Sequence, residues 1–237
     1  MNKKITFKAE DLKYPSAEEI KYADSKCPKF GNFGFEDNSL IISVLQGKPV
    51  KEASIEDNLY WWDLILTNRF GSLRGAYFDS LTHFNRGFKD YFQECSDNEI
   101  INRLLFDSNA EIFYYFFFVT ADVIAQILKL YFKIDIPESK VSFNEKLIKE
   151  ILDPSVKEAL RKFYNDTKLA RDYRNGFTHR FPMNHPDYRS KIEISDKSTV
   201  LHSGSGSFIP PSKLIVNIEN CLNSLSVLME AIKKFVK

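Results

Sequence analysis

The chain is predicted to be all-α, with one small β-hairpin inserted before its last helix. Three observations predict this. Apolar residues recur at helical spacing through most of the chain beyond Ile55. Helix-start residues stand at the heads of such runs, at Ser16, at Ser96 or Asp97, and at Asp153-Pro154. Only residues 188–209 alternate as strands do, around glycines.

Composition bounds the function. The 237 residues are 43% hydrophobic and 14% aromatic, with 21 phenylalanines, so a sizeable core is available and wholesale disorder is excluded. The net charge of +1 offers no global basic field, so any polyanion site must be local. Cys27, Cys95 and Cys221 lie far apart without a CxxC or Cys/His cluster, which argues against a zinc or other metal site. So sparse and odd a set suits a reducing, cytoplasmic setting. The opening MNKKITFKAEDLK has no apolar h-region, and no signal peptide is read there.

Residues 1–54 read as an arm packed on the core, and 55–237 as the main domain. In the arm, Ser16 is expected to cap a short helix to about Ala23, and Ser39–Leu45 to form a short strand or helix. From Ile55 to Glu94 two helical runs are expected, Leu59-Trp62-Leu66-Phe70 and then Leu73-Tyr77-Leu81-Phe84-Phe88, with a break at Gly71-Ser72. His83, Asn85 and Arg86 on the second run are expected on a solvated polar face, with an anion site as the alternative.

A helix over Glu99–Phe106 and a second, opened by Asn109 and running to about Tyr131, come next. The segment Ile112–Ile134 is long and apolar enough to suggest a membrane span. Asp122, Gln126, Lys129 and Lys133 interrupt it, so a buried core helix is expected and no membrane is invoked. Asp122 adjoins the apolar stripe and is either a structural or a catalytic carboxylate. Ser142-Phe-Asn-Glu145 fits a capping box. Asp153-Pro154 should start a helix running to about Asn175, with Val156, Leu160, Phe163, Thr167 and Ala170 inward. The hairpin is expected at 188–209 with Gly204 and Gly206 at a mobile tip and His202 on the surface. Pro210-Pro211 precede the last helix, over about Ser212–Val236, whose inner face includes Leu214, Ile218, Leu222, Leu225, Met229, Ile232 and Phe235.

The segment richest in chemistry is Arg171–Phe181, RDYRNGFTHRF. It sets a guanidinium at Arg174, a carboxamide at Asn175, a hydroxyl at Thr178 and an imidazole at His179 within a few residues. A guanidinium is a permanent, fork-shaped cation suited to phosphate, and an imidazole moves protons near neutrality. On a helix Arg174 shares a face with Thr178, and Asn175 with His179, so Arg174 and His179 converge only if the helix loosens at Gly176 or a second copy lies across it. Arg174 also continues the buried row by one turn, where an unpaired charge is costly and an anion is needed. Residues 157–189 hold eight Lys/Arg against four Asp/Glu, with aromatic residues interleaved.

Arg174-Asn-Gly-Phe-Thr-His179 resembles the Arg-x(4–6)-His motif of the HEPN superfamily, in the form where Asn follows the Arg. Arg180-x4-His185 fits the spacing too, but His185 falls beyond Pro182 in a loop. The order of helices over 55–237 resembles that family's up-and-down helical bundle, with the hairpin as an insertion. The resemblance implies a metal-independent endoribonuclease without cofactor, often a toxin or antiviral effector, working as a homodimer whose two motifs meet in a cleft. It assigns His179 the acid/base role and Arg174 the stabilisation of charge on phosphorus. Asn175 and Thr178 would orient the His or bind phosphate, with Arg171 and Asp122 as supporting residues. RNA is the expected partner, and an antitoxin such as a nucleotidyltransferase a further one. Two other readings stand beside it: a non-catalytic module binding nucleotides or a partner protein, and a purely structural role. In the structural role Arg174 pairs internally with a carboxylate such as Asp122, and His179 is buried.

Overall fold

The computed structural model describes residues 12–195, 198–204, 206 and 208–236. The first eleven residues of the arm therefore lie outside the described residues. The fold is an all-α bundle with one hairpin. Its helices are α1 (Ala17–Lys26), α2 (Leu40–Leu45), α3 (Val50–Arg86), α4 (Asp97–Tyr131), α5 (Glu145–Glu150), α6 (Pro154–Asp166), α7 (Lys168–His179) and α8 (Pro211–Ile232). The hairpin strands β1 (Lys191–Ser195) and β2 (Ser198–His202) lie between α7 and α8.

The two long helices α3 and α4 form the spine, and each replaces two expected shorter ones. α3 runs unbroken through Gly71-Ser72. A helical glycine costs about 1 kcal/mol against alanine. Burying one Leu or Phe returns about 1.5–3 kcal/mol, and Leu66, Phe70, Leu73 and Tyr77 are all buried around that point. Packing wins. α4 likewise runs through Asn109, whose Nδ2 donates to the Leu105 carbonyl at 2.9 Å instead of capping a new helix. The true start is Ser96, in a reciprocal capping box with Glu99. α4 is the one described helix long and apolar enough to cross a membrane, and 61% of its most apolar window is buried within the protein. Phe106, Phe113, Tyr114, Phe117, Ile124 and Ile127 sit wholly in the core, so α4 is the expected core helix.

α6, α7 and α8 close the bundle over α4. Tyr114 meets Tyr173 and Phe177 of α7 at ring-centroid distances of 5.8 and 5.7 Å. Its hydroxyl donates to Asn217 Oδ1 of α8 at 2.9 Å. Asp153 caps α6 as expected, accepting from Ser155 and Val156 amides. The α5 cap is Asn144 rather than Ser142, because Asn144 Oδ1 takes the Leu147 amide while Ser142 only supports Asn144. The single helix expected from Pro154 is two, kinked at Thr167, whose buried hydroxyl donates back to the Phe163 carbonyl at 2.7 Å. On α8 the inner row is as expected down to Ile232, but Phe235 lies past the helix end, 40% exposed, and Val236 is buried instead.

The arm is pinned by charges on α3. Ser16 caps α1 with Glu19, and Glu19 receives both Nε and Nη2 of Arg86 at 2.8 Å. Arg86 also donates to the carbonyls of Lys13 and Tyr14. Buried Asp63 accepts the amides of Phe33, Gly34 and Phe35. His83 is buried and meets Asn102 at 3.2 Å, with burial lowering its pKa. The arm and α4 thus cover His83 and Arg86, which form neither a solvated face nor an anion site, while Asn85 is exposed as expected. The region 39–45 is helical, as α2.

The hairpin pairs Lys191 with His202 through Ser195 with Ser198, and every described strand residue is exposed. Gly204 and Gly206 are not its tip. They lie beyond β2 and pack at the base, where a Cβ on Gly204 would come within 2.4 Å of the Asp187 carbonyl oxygen. Gly206 has φ +70° and lies against the Tyr188 ring. The turn residues 196–197 lie outside the described residues.

Candidate functional site at the end of α7

Tyr173 and Phe177 turn inward on α4 and leave Arg174 half-buried at the margin, with Thr178 and His179 exposed beyond it. Arg174 Nη1 donates to Asn175 Oδ1 at 3.1 Å, while its Nε is buried with no hydrogen-bond acceptor. Among the described residues no carboxylate forms an ion pair with Arg174. Asp122 is the candidate named from sequence. It accepts the Phe143 amide at 2.8 Å. Burial raises its pKa, opposed by that hydrogen bond and by the charge of Arg174. Asp122 therefore feels Arg174 without clasping it.

Thr178 Oγ1 donates to the Arg174 carbonyl at 2.9 Å, so its proton is already used. Arg171 faces back toward α6: its Nη2 donates to the Tyr164 carbonyl at 2.5 Å, and the guanidinium lies 3.8 Å from the centroid of that ring. That contact holds the α6–α7 kink. His179 is the last helical residue and is exposed rather than buried.

α7 does not loosen. It stays α-helical through His179, and five residues at 3.6 per turn place Arg174 and His179 about 140° apart around the axis. Gly176 serves packing instead: a Cβ there would meet Met183 Sδ at 2.5 Å. The loop after α7 folds back on the helix through that close approach. Within one chain the structure holds Arg174 and Asn175 together, and leaves His179 on a different side of α7 from Arg174.

The same loop is anchored from below by a residue that the sequence patterns do not single out. Arg103 is wholly buried and donates Nε to Asp107 Oδ2 at 2.8 Å, Nη1 to the Asp90 carbonyl at 2.6 Å and Nη2 to the Asn184 carbonyl at 3.1 Å. Burial raises the pKa of Asp107, with Arg103 opposing. The signal in the sequence is an Arg/Asp pair four residues apart flanking Phe106 in an apolar run. His185, the alternative motif histidine, lies in this loop with its ring parallel to Phe92, centroids 6.1 Å apart. His202 is exposed and 3.4 Å from Glu193 on the hairpin. Among the described residues no group of three or more His, Cys, Asp or Glu gathers to hold a metal ion.

No curated protein and no solved structure matches the chain. A family model does: the one described as HEPN_Cthe2314-like HEPN matches residues 62–237, about three quarters of the chain. With a helical bundle carrying a hairpin before its last helix, this chain belongs to the HEPN superfamily.

Proposed function

We propose that this protein is a metal-independent endoribonuclease that cleaves RNA at a cleft shared by two copies of the chain. One observation carries the reading. Arg174 presents a buried Nε without an acceptor, on the helix that ends in the exposed imidazole of His179. A buried donor left unpaired costs about 1–3 kcal/mol. A phosphate at the accessible edge of this guanidinium would supply the negative charge that no carboxylate of the described residues provides.

His179 removes the proton from a ribose 2′-hydroxyl as O2′ bonds to phosphorus. Arg174 neutralises the charge that grows on the pentacoordinate phosphorus, and Asn175 fixes the guanidinium. The P–O5′ bond then breaks and O5′ leaves as an alcohol, taking the proton that the same imidazole now carries. The products are a 2′,3′-cyclic phosphate and a 5′-hydroxyl, so DNA is not a substrate. Two copies are needed because Arg174 and His179 point to different sides of one α7. Such an activity would suit a toxin or antiviral effector held in check by a partner protein.

The test is incubation of the purified chain with RNA in EDTA, beside Arg174→Ala and His179→Ala. Cleavage should survive EDTA and fall roughly 100-fold or more in each variant. Cleavage that EDTA abolishes sinks the mechanism. RNA binding without cleavage by the wild type assigns the chain to the non-catalytic HEPN modules instead.

A further inference from the structure

Two adjoining hollows open beside the loop after His179, of about 360 and 430 Å³. Both are lined by Phe181, Pro182 and His185. The second adds Phe92 and Tyr188, and the first adds Arg180 and Arg189. Each volume lies within the roughly 300–1,000 Å³ typical of small-ligand sites. The chemistry of the lining is uneven: flat rings and a proline on the floor, guanidinium groups on the rim.

The platform is held in place. Arg103 donates to the Asn184 carbonyl beneath it and lies 5.0 Å from the Phe92 ring centroid. The Ile209 amide donates to the Met183 carbonyl at 2.7 Å. Tyr188 is nonetheless 62% exposed, a large ring facing outward where the backbone below it is fixed. Arg189 lies over Phe181 at 4.2 Å and takes up both oxygens of Asp187, the one acid of the rim. Exposed Arg180 is left as the surplus cation, and it is the residue next to His179.

We infer that this groove is a nucleobase subsite, in which an unpaired RNA base stacks on Tyr188 and on the face of Phe181 opposite Arg189, while Arg180 holds the neighbouring phosphate. The inference rests on the ribonuclease reading for its RNA, and it adds where the strand runs: past His179, over the loop, toward the hairpin base. Rings on a rigid floor accept any base by its π-face, and guanidinium groups track the backbone. A duplex presents no free base face, so the subsite selects unpaired strands.

The probe is a single-stranded 2′-O-methyl oligonucleotide carrying one 2-aminopurine, which binds but cannot be cleaved. Stacking should quench its fluorescence, and Tyr188→Ala and Phe181→Ala should each weaken binding about tenfold or more. Tyr188→Trp, which keeps a ring, should retain the quench. The same oligonucleotide in a duplex should bind far more weakly. Equal affinity for wild type and alanine variants, or for duplex and single strand, overturns the subsite. Quenching without cleavage of ordinary RNA in EDTA would leave the subsite standing and remove the ribonuclease. Cleavage with binding indifferent to both rings would do the reverse.

Discussion

Two arginines here meet opposite fates. Arg103 is buried with a carboxylate and three carbonyls as partners. Arg174 is half-buried with only a carboxamide. The first is structural, and its removal strands Asp107 as an unpaired buried carboxylate. Arg103→Met should therefore destabilise the fold by about 3–5 kcal/mol in denaturant melts. Adding Asp107→Leu should recover part of the loss; no recovery would mean the pair is not the cause. Glu19 offers a pH test. Its hydrogen bonds to Arg86 hold its carboxyl at about 2, below the ordinary 4.5. A depressed carboxylate contributes stability in full above about pH 4.5 that fades as pH falls toward 2. Hydrogen-exchange protection of α1 amides should fall through that window, and Glu19→Gln should flatten the fall. An equal slope in both proteins would rule out this pair as the clasp.

Among elements, the caps are legible in the sequence and the joins are not. Ser16, Ser96 and Asp153 act through atoms two or three residues away, so their role is written locally. Gly71 and Asn109 look like breaks locally, yet α3 and α4 each bury a row of side chains across the position, and that burial outweighs a single weak residue. The break at Thr167 goes the other way: Thr167 is buried and continues the inward row of α6, so a pattern of inward positions reads straight through it. The glycines that local pattern places at a hairpin tip belong to its base. Gly204→Ala should push against the Asp187 and Tyr188 backbone, which has no slack, and free the hairpin. Tryptic cleavage at Lys191 should accelerate while the melting temperature of the helical bundle stays near the wild-type value, since the described strand residues are exposed. A large drop in melting temperature would instead make the hairpin part of the core.

At the scale of the molecule, α7 carries both motif residues but aims them to different sides, so the proposed chemistry needs a second copy. Mixing Arg174→Ala with His179→Ala tests this directly. If each site takes its arginine from one copy and its histidine from the other, random pairing rebuilds about a quarter of wild-type cleavage from two inactive proteins. No recovery would show that Arg and His must come from the same chain, or that every site uses both pairs. The sequence by itself determined the helical class, the helix starts at Ser16, Ser96 and Asp153, and the place of the hairpin, because capping chemistry and apolar spacing are local properties. Only the tertiary structure decided that Arg174 keeps an unfilled donor, that Asp122 is spoken for by Phe143, and that Arg103 anchors the loop beyond His179. Those depend on which distant atoms arrive at a given point, and a guanidinium looks the same in a sequence whether or not a carboxylate comes to meet it.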